Sequence, residues 1–485
     1  MSGVAEKNLL PTGIPEEEGI PSSSILNFIK CLEANHLCMH SVIILRSGKI
    51  VSEGYWSPFT VDKKHRMYST SKSFVSVAIG LMEGEGLLSL DDRVITFFPE
   101  KLPLKGVHPY IEKMTIRDLL MMASAHEKTT FKQVDDDDWV RTFFTVPPTH
   151  LPGTVFSYDT SATITLTAII EKVSGMSLLE YMHPRLLTPI GFSEDAYCLK
   201  TPLGVSNGGS AIFCTSRDLA KFALTCMQEG NFDGKQLIPA DYIKAATSYQ
   251  IDTTNSTFNY IDNQQGYGYK FWRTRNNGFS LQGMGGQLAV CLPDKDLLIV
   301  TTADTQPNPD GLQTILNAIW NEIYPHLSDV PLMSDEKSFR ELFEKTSNLS
   351  ILLPEGQSSS PVIESINGNT YQLTDNPMNI TKLRVVFHEG EGILEYENDD
   401  GKQQIVFGFG KTIAQKFPVY DSDCIAAAAW KDENTLYINP MIIDDYFVHL
   451  RITLCFKDNT VTIVMKKYAE RILGEYLGFA SGVKI

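Results

Sequence analysis

Apolar residues recur along this chain in two rhythms. Up to about residue 325 most return every third or fourth position, the period of a helix with one buried face. The spacing predicts helices over residues 24–34, 116–122, 162–173, 178–186, 216–228, 241–246 and 313–323. Residues 41–45 and 50–55 break that rhythm as short β-branched runs joined by Arg46-Ser47-Gly48-Lys49, a hairpin signature. Residues 287–291 and 297–302 also read as strands. Beyond about residue 361, apolar and polar positions alternate over 381–387, 392–396, 435–438, 449–456 and 460–465, between Gly, Asn and Asp turns.

The two rhythms define an expected architecture. Strands at both ends of the first region, with helices between, predict an α/β domain over residues 1–328. Its antiparallel sheet is assembled from both ends, flanked by helices, and carries a largely helical insertion over about 87–250 that roofs a site. Residues 329–361, containing Pro, Ser and Glu, read as a linker with one helix at 339–345. Residues 362–485 read as a C-terminal antiparallel β domain with no chemical constellation of its own. A length of 485 residues supports two or three such cores.

Composition narrows the function classes. With 43% hydrophobic and 21% charged residues, the chain has an ordinary globular balance. Its 42 basic and 58 acidic residues give a net charge of −16, which opposes phosphate binding, and no basic stripe offsets it. Nucleic acid is therefore not an expected partner. No apolar run approaches about 18 residues, so no membrane span is expected. The start, Met1-Ser2-Gly3-Val4-Ala5-Glu6-Lys7, lacks a basic segment followed by an apolar one, which points to the cytoplasm. Eight scattered cysteines form no Cys-x-x-Cys pair and read as buried free thiols, so neither a metal nor another cofactor is expected. His36 and His40 read as loop residues before a strand, and Asp135 to Asp138 as a solvated loop.

The candidate chemistry lies in Met67-Tyr68-Ser69-Thr70-Ser71-Lys72-Ser73-Phe74. A serine and a lysine three apart share one helical face, and an amine there can take the proton of a poor hydroxyl nucleophile. The same spacing recurs at Ser334/Lys337, in a charged run, and at Ser481/Lys484, near the C-terminus. Only Ser69 opens an apolar helix, through Val75, Ala78, Ile79 and Leu81. Its position favours developing negative charge, because N-terminal N–H groups lack partners. The bland alternative for Ser69 is a helix N-cap with a solvated lysine one turn on.

Two further elements follow. Tyr158, in Pro152-Gly153-Thr154-Val155-Phe156-Ser157-Tyr158-Asp159-Thr160, stands before the helix from 162 and is either a proton relay or a packing residue. Gln282-Gly283-Met284-Gly285-Gly286-Gln287 leads into a strand. Its glycines allow a carbonyl to approach the backbone, or simply make a turn.

In this order the three elements resemble the serine β-lactamase and penicillin-binding-protein superfamily, in its class C-like esterase and amidase branch. The resemblance spans roughly residues 12–325, with support from His40-Ser41-Val42-Ile43-Ile44, Met114-Thr115-Ile116-Arg117-Asp118 and Gly266-Tyr267-Gly268-Tyr269-Lys270-Phe271-Trp272. It implies Ser69 as nucleophile, Lys72 as proton acceptor and Tyr158 as proton relay. It also implies an oxyanion hole from the backbone N–H groups of Ser69 and Met284, and substrate contacts at Thr160, Gln282, Gly283, Gly285 and Trp272.

Two departures stand out. The family's Tyr-x-Asn is Tyr158-Asp159-Thr160, and its Lys-Thr-Gly or His-x-Gly becomes Leu281-Gln282-Gly283, without a cation. A cation there usually binds a substrate carboxylate, so its loss argues against β-lactams and cell-wall peptides. The expectation is a serine hydrolase of small esters or amides. A D-peptidase or β-lactamase of the same fold and a catalytically weak binding module are the alternatives.

Overall fold

A computed structural model describes residues 10–444, 446–468 and 472–485. The chain divides into two compact units. The first holds the residues up to Thr305 together with Asp310–Ser350, and the second holds Gln306–Pro309 and Ile351–Ile485.

The first unit is built on a six-stranded sheet of β1 (Met39–Arg46), β2 (Lys49–Tyr55), β3 (Trp272–Arg273), β4 (Phe279–Gly283), β5 (Gln287–Leu292) and β6 (Leu297–Ala303). The strand order is β2-β1-β6-β5-β4-β3, and every neighbour is antiparallel. The hairpin at the start of the domain therefore pairs with the last strand, Ile43 opposite Val300 and Ile44 opposite Ile299. Every residue of β1 and β6 is buried, the polar His40, Ser41, Arg46, Thr301 and Thr302 included.

Helices α1 (Ser22–Ala34), α2 (Ser71–Gly84), α3 (Thr160–Ser174), α4 (Ser216–Met227), α5 (Gly311–Ala318) and α6 (Glu336–Ser347) are its principal helices. α4 packs across β1, β5 and β6. The Phe74 and Phe222 rings stack between α2 and α4 with centroids 3.7 Å apart, in the core that also takes Leu281, Cys291 and Val300. No single described helix is long and apolar enough to cross a membrane.

Several expectations need correction. His40 lies inside β1 rather than in a loop, and its Nδ1 meets His65 Nε2 at 3.2 Å. The expected linker begins inside the first unit, where α6 buries Leu342 and Lys345 pairs with Glu33 at 2.7 Å. The acidic run is engaged in structure: Asp136 pairs with Arg141, and Asp138 caps a short helix from Trp139 and bonds Lys101. All eight cysteines are free thiols, four of them buried.

The second unit is a β barrel of β7 (Thr370–Leu373), β8 (Lys382–His388), β9 (Glu391–Asn398), β10 (Gly401–Phe409), β11 (Ile413–Lys416), β12 (Asp423–Trp430), β13 (Thr435–Ile443), β14 (Phe447–Lys457), β15 (Thr460–Tyr468) and β16 (Gly478–Lys484). They run in the order β10-β9-β8-β7-β16-β15-β14-β13-β12-β11. A short parallel pairing, Gly408 with Ala427 and Phe409 with Ala428, joins β10 to β12 and closes the sheet on itself. Strand β12 was not expected, because the run Ala426 to Ala429 lacks the β-branched residues that mark strands.

Candidate active site

The serine stands on a single 3-10 turn, Tyr68–Thr70, that runs directly into α2. Tyr68 has φ 44°, a left-handed conformation that tyrosine seldom adopts, so the surroundings must hold the turn. They do so through polar side chains. Thr70 Oγ1 donates to the carbonyl of Gln287 at 2.9 Å, Ser71 Oγ accepts from the Ile212 N–H at 3.1 Å, and Ser73 Oγ donates to the carbonyl of Lys270 at 2.7 Å. Ser69 and Lys72 remain to face each other. Lys72 is 1% exposed, and its Nζ donates to Ser69 Oγ at 2.9 Å and to the Gly209 carbonyl at 2.5 Å.

Tyr158 comes from the loop before α3. Asp159 fixes that loop by capping the helix: its Oδ1 accepts from the Ser161 N–H at 2.8 Å, and its Oδ2 from Ser124 Oγ at 3.1 Å. Lys72 Nζ lies 5.1 Å from the centre of the Tyr158 ring, which sets the phenol beside the Ser69–Lys72 pair. Trp272 stacks on the same ring, centroids 5.9 Å apart and planes 17° from parallel, while Phe258 meets it edge-on at 5.4 Å. Burial pushes the phenol up to about 12, against the pull of the nearby Ser69 hydroxyl. Tyr158 is therefore a protonated phenol at neutral pH.

The end of β4 closes the other side. A side chain at Gly283 would begin 2.3 Å from the Met67 carbonyl and 3.0 Å from Thr70 Oγ1, so only glycine lets the strand lie against the Ser69 turn. Among the described residues neither the Ser69 N–H nor the Met284 N–H has a backbone or side-chain acceptor.

The sequence-expected residues thus divide. Ser69 and Lys72 meet directly, Tyr158 stands beside Lys72, Trp272 joins through Tyr158, and Gly283 abuts the Ser69 turn. Gln282 lies on β4 and bonds Asn263 and Ser280. Thr160 stands behind Gly209, its Cγ2 2.6 Å from where a Gly209 Cβ would sit. Gly285, at φ 80°, serves the turn, accepting from the Thr305 N–H at 3.0 Å.

Two participants escaped sequence reasoning. Gly209 is one; the glycine pair Gly208-Gly209 was its available signal, since a side chain at Gly208 would meet Val75 and Thr167 at 2.5 Å. Lys270 is the other. It is 2% exposed, has φ 63°, and its Nζ donates to Met122 Sδ at 3.0 Å. Burial and then the charge of Lys72 drive its amine well below the usual lysine range, and Asp159 offsets them only in part.

The chain belongs to the Beta-lactamase family, whose model matches residues 35–319, and it is a hydrolase of that family. It is 24% identical over 305 residues to the 6-aminohexanoate-dimer hydrolase of Paenarthrobacter ureafaciens, covering 57% of this chain and 76% of that protein. Among solved structures it is similar to a putative 6-aminohexanoate-dimer hydrolase from Bacillus anthracis, with TM-score 0.51 and 19% identity over 64% of this chain and 86% of the other. A penicillin-binding protein homologue from Pyrococcus abyssi, described as octameric, aligns over 94% of this chain and 99% of its own, with TM-score 0.50 and 16% identity. At such identities these two likenesses speak to the fold.

Proposed function

We propose that this chain hydrolyses a small ester or amide through an acyl-enzyme on Ser69. The observation that carries the reading is the 2.9 Å contact between Lys72 Nζ and Ser69 Oγ in a buried setting, with the Tyr158 ring centred 5.1 Å from the same amine. Lys72 takes the Ser69 proton as Oγ attacks the carbonyl carbon. The tetrahedral oxyanion is held by the Ser69 and Met284 N–H groups. Tyr158, a phenol at working pH, hands its proton to the departing alkoxide or amine and regains one from Lys72. Water then attacks the acyl-serine, its proton leaves by the same groups, and the carboxylic acid departs with Ser69 restored.

Amide substrates gain support from the relative named as a 6-aminohexanoate-dimer hydrolase. A substrate carboxylate beside the scissile bond is disfavoured, because Gln282 supplies an uncharged amide where a cation would be needed. The test is intact mass after exposure to a fluorophosphonate, for wild type and Ser69→Ala, with a short-chain nitrophenyl ester assayed on the same samples. One adduct and ester turnover, both lost in the variant, are expected. No adduct and no turnover in folded wild type would favour a non-catalytic binding protein.

A further inference from the structure

Strand β4 carries a row of polar groups that the reaction above leaves unused. Ser280 and Gln282 lie two apart and so share one face of the strand, and Ser280 is register partner of Trp272 on β3, which places Trp272 on that face too. The face therefore runs from Gln282 to the ring that stacks on Tyr158.

Gln282 is 7% exposed and Asn263 3%. Asn263 Nδ2 donates to Gln282 Oε1 at 3.0 Å, and Gln282 Nε2 donates to Ser280 Oγ at 2.9 Å. Those two bonds orient both amides and leave further hydrogen-bonding groups over. Among the described residues Asn263 Oδ1 accepts from nothing, and the second Nε2 hydrogen of Gln282 has no acceptor. The neighbour of Asn263 makes the arrangement rigid. Asp262, fully buried, accepts from Arg275 Nη2 at 2.9 Å, Gln313 Nε2 at 2.7 Å and Trp320 Nε1 at 3.1 Å. That carboxylate is consumed by its own ion pair and is not available to a ligand. These side chains are mostly buried, and their unmatched acceptor and donor groups keep hydrogen-bonding capacity for a ligand.

We propose that Asn263 and Gln282 form a specificity subsite for an uncharged secondary amide within the acyl part of the substrate. The amide N–H would be donated to Asn263 Oδ1, and its carbonyl would accept from Gln282 Nε2. Trp272 and the 38% exposed Phe258, whose rings lie 5.8 Å apart, offer the apolar surface beside it. The inference rests on the proposed hydrolase reading and narrows it: the substrate carries a second, unreacted amide, and no carboxylate at that position.

Three nitrophenyl esters test it in the full-length protein: those of N-acetylglycine, of pentanoic acid as its amide-free counterpart, and of succinic acid, which carries a carboxylate. Each kcat/KM is divided by the ester's alkaline hydrolysis rate to remove intrinsic reactivity. The expected ratio of N-acetylglycyl to pentanoyl ester is about tenfold or more, the scale of one or two hydrogen bonds, with the succinyl ester slowest. In Gln282→Met and Asn263→Leu the ratio falls towards one. A wild-type ratio near one, or a preference for the succinyl ester, overturns the subsite while leaving Ser69 hydrolysis standing; this outcome does not depend on either variant folding. Absence of turnover with all three esters, together with no fluorophosphonate adduct, would overturn the hydrolase reading itself and the subsite with it.

Discussion

The carbonyl of Gly209 accepts a hydrogen bond from Lys72 Nζ at 2.5 Å. Lys72 is thereby held between the nucleophile and a backbone group 137 positions away in the chain. A lysine side chain has four rotatable bonds, so a second fixed partner is what aims its amine at Ser69 rather than leaving it to wander.

Replacing Gly209 tests that anchor. A methyl group at this position would lie 2.6 Å from Thr160 Cγ2, so Gly209→Ala must shift either the carbonyl or α3. Misplacement by about 1 Å can cost about 100-fold in rate. The expected result is a drop of about 10-fold to 100-fold in kcat/KM with circular dichroism unchanged. Full activity would show that the carbonyl is dispensable.

Tyr158→Phe keeps the ring that stacks on Trp272 and removes only the hydroxyl at Ser69. If the phenol moves a proton in the reaction, kcat falls about 100-fold to 10000-fold. Because its proton is held up to about 12, any alkaline decline in rate below about pH 10 belongs to another group and persists in the variant. A loss under about tenfold would remove Tyr158 from proton transfer.

Lys270 makes stability depend on pH in a direction that can be read in advance. Its folded-state value is lowered, by burial first and by Lys72 second, so between that value and about 10.5 the unfolded chain binds more protons than the folded one. Stability in this window rises with pH, and the penalty is fully present below it. Lys270→Met, which abolishes the titration and keeps an apolar partner for Met122, is therefore expected to unfold later than wild type at about pH 7. The advantage should shrink towards about pH 9.5. Denaturant midpoints at the two pH values measure it; a difference independent of pH would mean Lys270 is not titrating in the folded state.

In the second unit, Cys424, Ala426, Ala428 and Trp430 of β12 face the barrel core alongside Leu436, Ile438 and Phe407. Alanine is small enough for the close approach of β10 at Phe409 and Ala428. Ala428→Leu is expected to destabilise this unit by about 1–3 kcal/mol through overpacking. Thermal or urea unfolding followed by far-UV circular dichroism reads the change, and an unaltered transition would place that side chain in open space.

What the sequence by itself determined are the features whose physics is local. Ser69 and Lys72 lie three apart where one helix begins, so their sharing a face follows from spacing, while the Gly209 carbonyl aims the amine into its 2.9 Å contact. The β1–β2 hairpin follows from its turn residues, and α3 and α4 from their apolar stripes. Even the return of the last strands to the first was legible, because apolar runs on either side of a helical stretch need each other to bury their faces. Tertiary structure alone decided the rest. Gly209, Asn263 and Lys270 belong to turns whose local patterns are ordinary, and they gain a role only when α2, α3 and β4 converge on them. The strand nature of Ala426 to Ala429 likewise came from partners on both sides, since alanine has little preference for a strand. The physical reason is common to all four. Burial, the loss of solvent around a charge and the fit of one backbone against another are properties of surfaces brought together, and a single segment does not carry them.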